Sequence, residues 1–73
     1  MPTIHPSLTL ARVERAVRRA MRDADAYPGF CLTCGRSAKQ PCEPDARAYP
    51  CLYRACGQPT VCGAEELLLM IAV

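Results

Sequence analysis

Cys31-Leu32-Thr33-Cys34-Gly35, followed after 16 residues by Cys51-Leu52-Tyr53-Arg54-Ala55-Cys56-Gly57, decides how this chain can fold. A Cys-x-x-Cys-Gly knuckle lets two thiolates reach one zinc ion at about 2.3 Å each, and the glycine relieves crowding where the backbone turns away. Two ligands do not complete a tetrahedron. The second pair must come from Cys42, Cys51, Cys56 and Cys62, the remaining cysteines of the six. Cys51 with Cys56-Gly57 repeats the ending of the first knuckle, although four residues separate the cysteines instead of two. The expected ligand set is therefore Cys31, Cys34, Cys51 and Cys56, around one structural Zn2+. Cys42 and Cys62 are expected to be small buried or half-buried thiols, either of which can replace a ligand if the backbone geometry favours it.

Chain length makes such a staple necessary. A chain of 73 residues with no Trp, one Phe and three Tyr cannot build a bulky core, and a domain of this size buries only about 60% of its unfolded surface. Three disulfides are the competing staple. Against them, Met1-Pro2-Thr3-Ile4-His5-Pro6 carries neither a basic leader nor an apolar stretch, and in a reducing cytosol thiols bind metal more readily than they pair. A thioredoxin-like redox pair would need a βαβ pattern around Cys31, which is missing. Four thiolates leave no open position for water, so the site is expected to be structural and the protein not an enzyme. The longest apolar run, Leu67 to Val73, is far shorter than the roughly 20 residues a membrane-spanning helix requires.

Outside the cysteines, Leu10, Val13, Val17, Met21 and Ala24 recur at spacings of three and four, which predicts an amphipathic helix. Ser7 or Thr9 supplies its N-cap oxygen, and Tyr27-Pro28-Gly29 stops it near Ala26. Residues 1–6, with two prolines, are expected to form a flexible arm. The rest, 7–73, reads as a single domain: a basic helix over 7–26, a zinc-binding region of knuckles and short strands over 29–63 and an apolar C-terminal segment over 64–73. Ala48-Tyr49 and Thr60-Val61 are the expected strand fragments, joined through Gly57-Gln58-Pro59. Glu65 and Glu66 ahead of Leu67 favour a short terminal helix starting at Ala64, with a strand as the competitor. The fold class is thus a small metal-stapled α+β domain, an N-terminal amphipathic helix packed on a four-cysteine zinc site with a short β-hairpin.

The formal charge of +2 is unevenly spread. Residues 1–26 carry five arginines against three acids, whereas residues 27–73 are balanced at four and four. At 100° per residue Arg12, Arg15, Arg18, Arg19 and Arg22 fall within about 120° of one another, opposite the apolar stripe. The pairs Arg15/Arg19 and Arg18/Arg22 repel at i,i+4, only partly offset by Glu14/Arg18 and Arg19/Asp23. This face is the candidate partner-binding surface, for nucleic-acid phosphate or for an acidic protein. The bland reading is an ordinary solvated face. No catalytic constellation appears, since His5, the only histidine, lies in the arm. Glu43-Pro44-Asp45 reads as a turn, with Arg47 as a partner for Asp45. Tyr49 and Tyr53 could stack on bases, but tyrosines near a knuckle read more simply as part of its small core.

Three stretches carry a family resemblance: Gly29-Phe30-Cys31-Leu32-Thr33-Cys34-Gly35, the run from Glu43 to Cys51, and Val61-Cys62-Gly63-Ala64-Glu65-Glu66-Leu67-Leu68. Together they resemble small C4 zinc-ribbon proteins of tailed phages and proteobacterial mobile elements, over nearly all of residues 9–69. The resemblance implies a zinc ribbon with ligands at Cys31, Cys34, Cys51 and Cys56. In that pattern the second knuckle is Cys-x-x-Cys and an aromatic commonly stands where Cys62 does, so this chain departs at both places. The function expected is a small zinc-binding adaptor or inhibitor in the cytoplasm of a bacterial host cell, docking on nucleic acid or on host transcription or defence complexes, with no membrane partner. The alternative is a structural protein that forms a homo-oligomer through the helix and C-terminal tail.

Overall fold

The computed structural model describes residues 4–23 and 26–72. Its elements in order are α1 (Leu10–Arg22), β1 (Gly29–Cys31), β2 (Val61–Gly63) and α2 (Ala64–Ala72). The helices pack on each other, and a two-stranded antiparallel sheet lies beside them. No helix among the described residues is long and apolar enough to cross a membrane.

Helix α1 is shorter than the 7–26 span expected from the sequence. Thr9 is the N-cap, accepting from the Arg12 amide at 3.3 Å, while the Ser7 hydroxyl is engaged instead with His5 Nδ1 at 2.8 Å. At the other end Asp23 leaves helical dihedrals, although its amide still donates to the Arg19 carbonyl. A side chain with weak helix preference therefore stops the helix before Pro28 is reached.

The buried face of α1 is also turned relative to the predicted stripe. Val13 is fully buried, with Ala16 and Val17 packed against the same core, whereas Leu10 is largely exposed and Met21 is 79% exposed. The helix is thus turned so that Ala16 shares the core-facing side with Val13 and Val17, and the stripe's margin is left in solvent. Ala24, the last member of that stripe, lies outside the described residues.

The predicted terminal helix is present as α2. Its first amides find carbonyls elsewhere in the chain, Ala64 N–H donating to Pro28 and Glu66 N–H to Pro44. This satisfies donors that a helix start leaves open. Leu67, fully buried, meets Val13, Phe30 and Leu32 in one core. Around the knuckles a second cluster gathers Cys31, Cys42, Ala46, Cys51 and Val61.

The sheet differs from the expected hairpin. β2 pairs with β1 in the register Gly29↔Gly63, Phe30↔Cys62 and Cys31↔Val61, so the paired strands are distant in sequence. Tyr49 and Val61 do exchange both backbone hydrogen bonds at 3.0 Å, but as an isolated bridge. Gly29 matters for close approach, because a Cβ there would collide with the Cys42 side chain and the Cys62 carbonyl. The expected arm is anchored where it is described: the His5 amide donates to the Leu32 carbonyl at 2.8 Å and Ile4 packs on the main core. Residues 1–3 of that arm and the final Val73 lie outside the described residues.

Candidate metal centre

Two short turns bring four thiols together. In the first, Gly35 N–H donates to the Cys31 carbonyl at 2.8 Å and the Cys31 amide donates to Arg36 at 3.0 Å, which folds the segment back on itself. Gly35 takes φ +75°, a left-handed conformation that suits glycine. In the second, the Cys56 and Gly57 amides both donate to the Tyr53 carbonyl at 3.0 Å, and the Cys51 amide donates to Gln58 at 2.9 Å. The two extra residues of this knuckle are absorbed in that turn, and Gly57 again takes a positive φ, +64°. A widened spacing therefore still delivers two thiols to one point.

The sulfur atoms of Cys31, Cys34, Cys51 and Cys56 all lie within 4.8 Å of one another and could hold a metal ion. Cys31 Sγ stands 3.6 Å from Cys56 Sγ, and Cys34 Sγ stands 3.8 Å from Cys51 Sγ. A tetrahedral ion with bonds of about 2.3 Å requires sulfur–sulfur edges of about 3.8 Å. A disulfide requires about 2.05 Å, and all six cysteines are free. The donor set and spacing fit a tetrathiolate metal centre.

The thiols are not equivalent without a metal. Burial alone would raise the Cys31 thiol, but hydrogen bonds from the Thr60 hydroxyl and from the Cys34 and Thr33 amides prevail and bring it down to about 6. Burial pushes the Cys34 thiol up, despite a hydrogen bond from the Arg36 amide, and its thiol neighbours Cys31 and Cys51 add to the rise. Cys56 receives a hydrogen bond from the Gln58 amide, yet burial and its thiol neighbours Cys31 and Cys51 raise it to about 11. Cys31 is thus the most readily ionised of these three thiols, and Cys34 and Cys56 hold their protons more firmly.

Cys42 and Cys62 sit outside the cluster and in different places. Cys62 faces the helix core and Cys42 lies under the knuckles, both buried. Burial pushes both thiols above their usual value, with the charge of Cys62 adding to the effect on Cys42.

The arginines predicted to share one face separate into two groups. Arg15, Arg18, Arg19 and Arg22 are exposed, and Arg18 pairs with Glu14 at 3.7 Å. Arg12 is half-buried: its guanidinium donates to the Gly35 carbonyl at 2.7 Å and to Ser7, and lies 5.0 Å above the centre of the Phe30 ring. Arg12 stood at the edge of the predicted arc, on the side where the knuckle packs, and there it latches α1 to the metal site. His5 belongs to the same latch through Ser7.

A further basic group was not singled out from the sequence. Arg36 and Lys39 both lie over the Tyr53 ring, at 4.8 and 4.3 Å from its centre. The signal available was an Arg and a Lys three apart just after the first knuckle. The Glu43–Ala46 turn forms with Pro44 at its second position, but Arg47 pairs with Glu66 of α2 and not with Asp45.

No protein family, curated protein or solved structure matches this chain.

Proposed function

We propose that this chain is a zinc-stapled binding module of the zinc-ribbon type, acting by docking and not by catalysis. One Zn2+ on Cys31, Cys34, Cys51 and Cys56 holds the fold, and its tetrathiolate shell leaves no position at which water would be activated. The exposed arginines of α1 dock on nucleic acid or on host nucleic-acid-handling machinery, as an adaptor or inhibitor. The observation that carries this reading is the uncompensated face itself. Arg15, Arg19 and Arg22 have no salt bridge among the described residues, while like charges stand at i,i+4. Maintaining such a face costs stability unless something anionic covers it. The resemblance to phage zinc ribbons supports the host machinery as the thing docked on.

The competing assembly through α1 and the C-terminal tail is less favoured, because α2 spends most of its apolar surface on the chain's own core. Leu67, Leu68, Met70 and Ile71 all pack inward and Leu69 remains outside. The test is binding of zinc-loaded protein to a fluorescent DNA duplex across a salt series, with the triple variant Arg15→Glu/Arg18→Glu/Arg22→Glu alongside. A pull-down from nuclease-treated host lysate accompanies it. Docking predicts loss of salt-sensitive DNA binding, or loss of the captured partner, in a variant that keeps its zinc. Unchanged behaviour in both assays refutes it.

A further inference from the structure

The cations of α1 and those around Tyr53 lie to either side of one short segment, Ser37-Ala38. A groove of about 270 Å³ runs between α1 and the first knuckle, with Arg15 and Arg19 on one wall and Ser37 and Ala38 on the other. Ser37 and Ala38 join Arg36 to Lys39 in the chain. The wall opposite the helix arginines is therefore flanked in the chain by the two cations that lie over Tyr53. Its floor includes Ala16, Pro28 and Phe30, apolar groups that offer no counter-charge. Among the described residues neither Arg36 nor Lys39 has a carboxylate partner, and both lie close to a single aromatic ring. A ring face attracts each cation, but two cations on one ring also repel each other. An anion between them would relieve that repulsion.

We infer that this groove is a single-stranded nucleic-acid track, in which phosphates pass between the α1 arginines and the Arg36/Lys39 pair while sugar and base lie over the apolar floor. The inference rests on the docking reading above and specifies it. A duplex is read by a convex element entering a groove about 12 Å wide. Here arginines line a concavity with an apolar floor, and two further cations flank its far wall in the chain, the arrangement that suits one flexible strand.

The test measures anisotropy of labelled oligo-dT and oligo-U of about 12 nucleotides, and of a duplex of equal length, with zinc-loaded protein over a salt series. Variants are Arg36→Glu/Lys39→Glu and the milder Arg36→Gln/Lys39→Gln, both exposed side chains, checked for zinc content and amide dispersion. The track predicts that the single strands bind more tightly than the duplex. It also predicts that the charge-reversed pair loses about tenfold or more in affinity, with the log–log salt slope flattened by about 0.7 for each phosphate no longer neutralised. The glutamine pair should fall in between. Wild-type affinity in both variants, or preference for the duplex, overturns the track and leaves docking by α1 standing. If the wild type shows no salt-sensitive binding to any of these probes, the nucleic-acid reading fails together with the track.

Discussion

Cys31 and Cys56 stand 25 residues apart in the chain, yet their sulfur atoms lie 3.6 Å from each other. That distance is too long for a bond and matches an edge of a thiolate tetrahedron. The two thiols differ: against burial, hydrogen bonds from Thr60, Cys34 and Thr33 bring Cys31 down to about 6, whereas Cys56, despite a hydrogen bond from the Gln58 amide, is raised to about 11 by burial and its thiol neighbours. The four sulfurs are arranged as a set that could hold a metal ion.

Single cysteine substitutions should therefore fall into two classes. Cys51→Ser or Cys56→Ser, like Cys31→Ser or Cys34→Ser, should abolish stoichiometric zinc by elemental analysis. Cys42→Ser and Cys62→Ser should retain it, while each costs about 1–3 kcal/mol for a poorly satisfied buried hydroxyl. Loss of metal in Cys62→Ser with retention in Cys56→Ser would move the second knuckle to Cys62.

Arg12 should behave unlike its helix neighbours. Removing it strands the Gly35 carbonyl and uncovers Phe30, so Arg12→Ala should lower stability by about 1–3 kcal/mol. Arg15→Ala and Arg22→Ala, on the exposed face, should stay within about 0.5 kcal/mol. Chemical denaturation of the three zinc-loaded variants measures the contrast, and equal midpoints would remove the latch.

The two knuckle glycines should differ as well. Both have positive φ, so Gly57→Ala, with open space around its Cβ, should cost only the left-handed strain of about 1–2 kcal/mol. Gly35→Ala incurs the same strain and drives a methyl group into Ser7 and His5. It should be the more damaging by about 1–3 kcal/mol, readable in the same denaturation series.

Metal loading should weaken as pH falls. The loaded site binds fewer protons than the empty one, because Cys34 and Cys56 have thiols raised above their usual value and must lose protons to bind. Calorimetric titration at neutral pH in buffers of different ionisation enthalpy should show at least two protons released per ion. At the alkaline end burial raises the Cys42 and Cys62 thiols, so the stability they contribute is present below the unfolded thiol value and is lost as pH rises past it. A denaturation midpoint that stays flat from neutral pH to well above 9, the ordinary thiol value, would contradict this.

What could be read from the sequence was local. Knuckle spacing, the following glycines, the Glu43–Ala46 turn and the acidic start of α2 each depend on residues a few positions apart. The pairing of β1 with β2 was hidden because Gly29-Phe30-Cys31 is too short to alternate and its partner lies more than thirty residues on. The rotation of α1 was hidden because periodicity marks large apolar residues, whereas the core-facing side includes the small Ala16. Arg12 looked like one cation among five, and only the knuckle folding over its end of the arc sets it apart.

The central claim is that one zinc ion on four thiolates holds this fold. Two-dimensional amide NMR before and after removal of the metal with a strong chelator, with metal loss verified, tests it most directly. Structural zinc supplies roughly 10–16 kcal/mol of folding free energy, more than a chain of this size holds in reserve. The dispersed spectrum should collapse to the narrow range of an unfolded chain and return when zinc is restored. A dispersed spectrum unchanged in the metal-free protein would contradict the account.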